Sequence, residues 1–156
     1  MGPEDFWRRA AALGVRPDVQ ELAASTRTAE DAARAVGCAQ RQIVKSLVFV
    51  ADDEAVVVLQ RGDRKVDAER LKAVLDAGVV RRADAKRVYR ETGYAIGGVP
   101  PFGHVQRLRT VLDACLLGDD RLFAAAGGPT ALFATSGDEL RLASGAEVAC
   151  CCAEEP

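Results

Sequence analysis

The sequence is poor in the residues that carry most easily recognised chemistry. It has one histidine, one tryptophan and one methionine among 156 residues. Aromatic residues make up 5% of the chain, which leaves little basis for a platform on which single-stranded bases stack. No HExxH helix, GxSxG elbow, P-loop or GxGxxG following a strand occurs, so zinc-protease, serine-triad and dinucleotide chemistry lack their signatures. No stretch approaches the ~20 apolar residues of a membrane span, and no membrane partner is expected. Residues 1–10 carry Glu4, Asp5, Arg8 and Arg9 and no apolar run, unlike a secretory signal. The five cysteines, Cys38, Cys115, Cys150, Cys151 and Cys152, are odd in number and form no CxxC pair. They read as buried or tail thiols in a reducing, cytoplasmic compartment, with no metal and no cofactor expected.

What is present is an ordinary globular balance, 49% apolar and 28% charged. The net charge of −2 conceals an uneven distribution. Residues 61–90 hold ten Lys and Arg against five Asp and Glu, a local excess of +5, while the flanking segments are acidic. Such a stretch is either an electrostatic footprint for a polyanion or a surface laced with salt bridges.

Periodicity and punctuation predict alternating helices and strands. Helices are expected over 4–13, 29–36, 67–75, 83–91 and 137–143. Thr28, Asp67 and Asp84 stand as N-caps, and Gly37 and Gly93 as stops. Strands are expected over 43–50 and 55–60, joined as a hairpin by Asp52-Asp53-Glu54, and over 79–82, 110–116, 122–126, 130–134 and 146–150. A further strand is expected to run into the glycine-proline stretch from Tyr94. No linker divides the chain, so residues 1–156 read as one mixed α/β domain.

Two features could carry chemistry. Lys45 interrupts an apolar run and shares one strand face with Ile43, Leu47 and Phe49; Val44, Ser46, Val48 and Val50 share the other. An ammonium there either faces a cavity or snorkels from an edge strand. The stretch Gly97-Gly98-Val99-Pro100-Pro101-Phe102-Gly103-His104 is the second. Paired glycines free backbone N–H groups to approach a ligand, and the prolines hold them in place, as an oxyanion site requires; a tight structural turn has the same composition. His104 reads as a loop residue at the pocket rim. Gly127-Gly128-Pro129 either borders the same site or turns a hairpin.

Thr28-Ala29-Glu30-Asp31-Ala32-Ala33, Val36-Gly37-Cys38 and Gln42-Ile43-Val44-Lys45-Ser46-Leu47-Val48-Phe49 together resemble the opening of the YbaK/EbsC family. That family includes the editing insertion domain of bacterial prolyl-tRNA synthetases. The 97–104 stretch is similar to the family's GxxxP loop, with Gly97 and Pro101 as its ends, and the likeness runs over about 28–139. The resemblance implies a curved, partly barrel-like mixed sheet flanked by helices. It also implies deacylation of mischarged tRNA in trans, with the 3′ end of an aminoacyl-tRNA, and in some cases a synthetase, as partner. Lys45 would engage the tRNA 3′ end, and Gly97 and Gly98 would bind around the aminoacyl carbonyl. Thr28, Ser46, Val99, Pro101, Phe102, His104, Gly127 and Gly128 complete the expected substrate-binding set. Family members place an acidic or histidine residue in the strand after the last glycine loop. Residues 130–134 here have no ionisable group, so a more apolar wall is expected near Phe133.

With no evident nucleophile or strong base, the expected mechanism positions the ester and a water, stabilises the oxyanion with loop amides, and draws on a ribose hydroxyl. A non-catalytic nucleic-acid-binding module and a synthetase-associated interaction subunit are the competing readings. The amino acid, the tRNA and the oligomeric state are not legible in the sequence.

Overall fold

The structure is a computed structural model that describes residues 1–26 and 28–154. Its helices are α1 (Pro3–Ala12), α2 (Ala29–Val36), α3 (Ala68–Leu75), α4 (Ala85–Thr92) and α5 (Gly137–Ser144). The strands are β1 (Val19–Glu21), β2 (Ile43–Ala51), β3 (Glu54–Arg61), β4 (Arg64–Val66), β5 (Val80–Arg82), β6 (Arg109–Asp113), β7 (Leu122–Ala125), β8 (Ala131–Thr135), β9 (Glu147–Ala149) and β10 (Cys152–Glu154).

The expected mixed α/β fold is present. The main sheet runs β1-β8-β7-β2-β3-β6-β9, with β5 also paired to β2, and β4 and β10 form a separate ribbon. The β2–β3 hairpin lies at its centre, antiparallel from Val44↔Arg61 to Ala51↔Glu54. Parallel neighbours flank it, β7 on β2 and β6 on β3. The near-continuous apolar runs of β2 and β3 suit strands covered on both faces.

On one face Val44, Val48, Val50, Val57 and Leu59 pack against Phe6, Val88, Tyr94, Phe102, Phe133 and Leu140. Phe6, Phe102 and Phe133 form a ring cluster with centroids 5.0–5.8 Å apart; burial of each contributes about 1.5–3 kcal/mol. The other face is covered at two separate places. Ala29, Ala32 and Ala33 of α2 lie on Ile43, Phe123 and Leu132. Leu71 and Leu75 of α3, with Cys151 and Cys152, lie on Phe49, Val56 and Val58. Between the two covers the sheet is open.

The predicted caps hold: Thr28 Oγ accepts from Asp31 N at 3.0 Å, and Asp67 and Asp84 cap α3 and α4 in the same way. Each is worth about 1 kcal/mol. Two expectations fail. No strand forms at Tyr94; its ring is buried and its hydroxyl donates to Gly103 O at 3.0 Å, so the segment folds back as a loop. The strand expected over 110–116 stops at Asp113, whose carboxylate accepts from Cys115 Sγ at 2.9 Å and caps a short 3₁₀ turn. The three-residue strands β1, β4 and β10 were not expected, being too short to show a period.

Candidate active site

The site begins with a break in strand pairing. On its outer edge β2 pairs with β7 only at Ile43 and Val44, and with β5 only from Phe49 to Ala51. Val48 O accepts from Ala83 N at 3.0 Å on that edge. Residues two apart on a strand turn their amides to the same side, so Ser46 presents its N–H and C=O to the stretch where no strand pairs among the described residues. Its hydroxyl is buried and has no hydrogen-bond partner among them. Buried polar atoms are usually paired, which makes this hydroxyl a candidate contact for a ligand that enters the gap.

A cleft of about 620 Å³ follows this gap. On the α2 side its walls are Thr26, Thr28, Ala29, Ala32, Ile43 and Leu132; on the opposite side they are Gln60, Lys65, Val66 and Ala68. Val80, Arg81 and Arg82 close one end, and Gly97 and Val99 reach it through the break in the sheet. Lys45 is half-buried on the open face, opposite Gln60, with no ion pair among the described residues. Among the described residues the lining holds four cationic side chains and no carboxylate, histidine or cysteine. Such a cavity can bind anionic oxygens and polarise a carbonyl, and it lacks a side-chain base or an activated nucleophile.

The predicted site residues divide into two groups. Thr28, Lys45, Ser46, Gly97 and Val99 come together in the cleft. Gly98 stands behind them: a Cβ there would lie 2.8 Å from Gly128 Cα, so the two backbones can come this close only because residue 98 is glycine. Gly128 turns the β7–β8 hairpin, and Gly127, at φ 99°, packs beneath α1, where a Cβ would meet Gly2 O at 2.9 Å. Both glycines thus lie outside the cleft, and Gly128 backs the loop.

Pro101, Phe102 and His104 lie away from the cleft. They line a separate depression with Arg9, Leu13 and Leu142. Phe102 is a core residue at 3% exposure. His104 Nε2 sits 2.7 Å from Pro100 O, and since a carbonyl only accepts, Nε2 carries the proton. Burial lowers its pKa, which keeps the ring neutral. The apolar wall expected near Phe133 is present and is formed by the residue beside it. Phe133 faces the opposite core against Phe6, and its neighbour Leu132 faces the cleft.

A model of the family described as "Aminoacyl-tRNA editing domain" matches residues 23–142. The chain belongs to that family. As an editing domain it is similar over nearly its whole length to a crystal structure provisionally described as a trans-editing enzyme for prolyl tRNA synthetase. The TM-score is 0.90 and the identity 40%, covering 99% of this chain and 97% of that one. The uncharacterised protein YwhH of Bacillus subtilis is 32% identical over 111 residues, 70% of each chain. A proline–tRNA ligase of Lactobacillus gasseri is 47% identical over 62 residues, which is 40% of this chain and 11% of that enzyme. The editing domain thus matches about a tenth of the ligase's length. The YbaK-type resemblance read from the two motifs agrees with these likenesses.

Sequence reasoning missed Lys65, Arg81, Arg82, Gln60 and Leu132 as parts of the site. The charge excess of 61–90 was the one available signal for the three cations; nothing local pointed to Gln60 or Leu132.

Proposed function

We propose that this editing domain hydrolyses, in trans, the ester bond of a mischarged aminoacyl-tRNA. The observation that carries the reading is the gap beside Ser46. It joins Lys45, an unpaired strand edge and the Gly97 loop in one cleft that offers positive charge and amide donors and no side-chain nucleophile. The aminoacyl group lies against Ala29, Ala32, Ile43 and Leu132, and the ester carbonyl meets the amides of the gap and loop. Their dipoles stabilise the oxyanion as water attacks. A ribose hydroxyl of the tRNA helps to orient that water, because the described residues place no protein base within the cleft. Lys45 neutralises a phosphate or carbonyl oxygen at the tRNA 3′ end.

The provisional description of the 40%-identical structure makes tRNAs charged by prolyl-tRNA synthetase the first substrates to try, with the synthetase as a transient partner. The small aliphatic wall suits a short side chain, since a methylene more or less changes binding by only about 1–3 kcal/mol. The test is a deacylation screen over a panel of mischarged tRNAs with Lys45→Ala beside the native protein. Release of amino acid by the native protein and its loss in the variant is expected. A variant that retains full activity on a proven substrate removes Lys45 from the mechanism. Binding of tRNA without release from any charged species returns the domain to the non-catalytic reading.

A further inference from the structure

We infer that Lys65, Arg81 and Arg82 form a phosphate track that grips the single-stranded 3′ end of the tRNA and leads it to Lys45. This rests on the deacylase reading and extends it from the reacting ester to the strand that carries it.

The argument starts from the ten cations of residues 61–90. Six are committed to carboxylates: Arg61 to Asp63 at 2.6 Å, Arg64 to Asp113 at 3.9 Å, Arg70 to Asp67 at 3.8 Å and Lys72 to Glu69 at 3.7 Å. Arg87 and Arg90 share Glu91 at 3.0 and 3.8 Å. The other four, Lys65, Arg81, Arg82 and Lys86, have no ion pair among the described residues. Three of these four line the cleft, where Lys45, outside the segment, is unpaired as well. Salt bridges have therefore consumed most of the basic excess elsewhere and left three of the four free cations at one opening.

Position supports the same conclusion. Lys65 lies on β4 and the arginines on β5, at different walls of the cleft, and all three side chains are exposed. The Arg82 guanidinium stands over the Phe49 ring, 5.5 Å from its centroid. Stacking of this kind orients the plane while its N–H edge stays free for an anionic oxygen. On a chain of net charge −2, a cleft whose described lining has no carboxylate concentrates positive potential and draws in a polyanion. The sparse aromatics disfavour reading by base stacking, which leaves the phosphodiesters as the recognised groups.

The test uses a fluorescein-labelled single-stranded oligoribonucleotide with the tRNA 3′-terminal sequence, and whole uncharged tRNA, titrated by anisotropy over a range of salt. For the triple variant Lys65→Gln/Arg81→Gln/Arg82→Gln, an affinity loss of about 30-fold is expected. The slope of log K against log salt should fall by about 2, near 0.7 per phosphate for three contacts. Lys86→Gln, which removes an equally free cation outside the cleft, should change neither. On charged tRNA the triple variant should raise KM and leave kcat near native. Single variants confirm additivity with each fold intact. Native affinity and slope in the triple variant, or an equal loss in Lys86→Gln, overturns the track. The binding arms decide it even where no aminoacyl-tRNA is hydrolysed, an outcome that would instead defeat the deacylase reading.

Discussion

The glycine-proline stretch reads as one loop, but its two halves do different work. Gly97 and Val99 enter the cleft through the break in the sheet, whereas Pro101 to His104 turn away from it and anchor the stretch. Three contacts hold the anchoring half: Phe102 in the ring cluster with Phe6 and Phe133, Tyr94 Oη on Gly103 O, and Arg9 Nη1 on His104 O at 3.2 Å. The presenting half is held differently: Gly98 N donates to Ala95 O at 3.0 Å, Val99 is buried in the core, and Gly98 lies against Gly128. The contrast separates residues that serve the packing of the fold from residues that also face the cleft.

Four substitutions would break or sharpen the contrast. The largest effect is expected from Phe102→Ala, which should lower stability by about 3–5 kcal/mol through the cavity it leaves, read by denaturant unfolding. Activity per folded molecule should remain near native; a selective loss of kcat would place Phe102 in the presenting half. Lys45→Ala should do the converse, cutting kcat/KM by about 100-fold at unchanged melting temperature. An unfolded or destabilised variant would mean that the ammonium serves the fold.

Gly98→Ala lies at the junction. Its Cβ would press on the Gly128 backbone, so a stability loss of about 1–3 kcal/mol should accompany a roughly 10-fold fall in kcat. Loss of stability with kcat intact would show that the loop can shift without consequence for the ester.

The smallest effect concerns pH. Burial holds the His104 pKa below its ordinary value of 6.5. The unfolded chain then binds this proton at higher pH than the native one. The stability present above pH 6.5 is therefore lost as pH falls from there toward the native value. His104→Gln should flatten this acid limb in a melting series between about pH 7 and 5, and leave the pH profile of kcat unmoved. A moved kcat profile would return His104 to the chemistry.

Much of this was legible beforehand for identifiable reasons. The α2 bounds followed from Thr28 and Gly37, since a side-chain cap and a left-handed glycine are local requirements. Lys45 and Gly97 were legible because their residue types contradict their surroundings. Phe102 and His104 were misplaced toward the pocket. Neighbours in sequence can sit on opposite sides of a sheet, and nothing near Pro100 announces that the chain passes from one side to the other.

The sequence by itself determined the central hairpin, the caps, the family and the fact that positive charge gathers in 61–90. Each depends on residues close together along the chain. Only the tertiary structure decided that β2 goes unpaired beside Ser46, because its edge partners arrive from residues 80–82 and 123–124 and stop short of each other. It alone decided that Arg64 pairs with Asp113 and that Lys65, Arg81 and Arg82 face one cleft, because β4 and β5 come to its walls only once the chain has folded; a pair such as Arg87 with Glu91 is local to one helix. Most charge pairs of 61–90 join neighbours along the chain, but pairing on a strand edge is a contest among distant partners, and no local pattern records who wins.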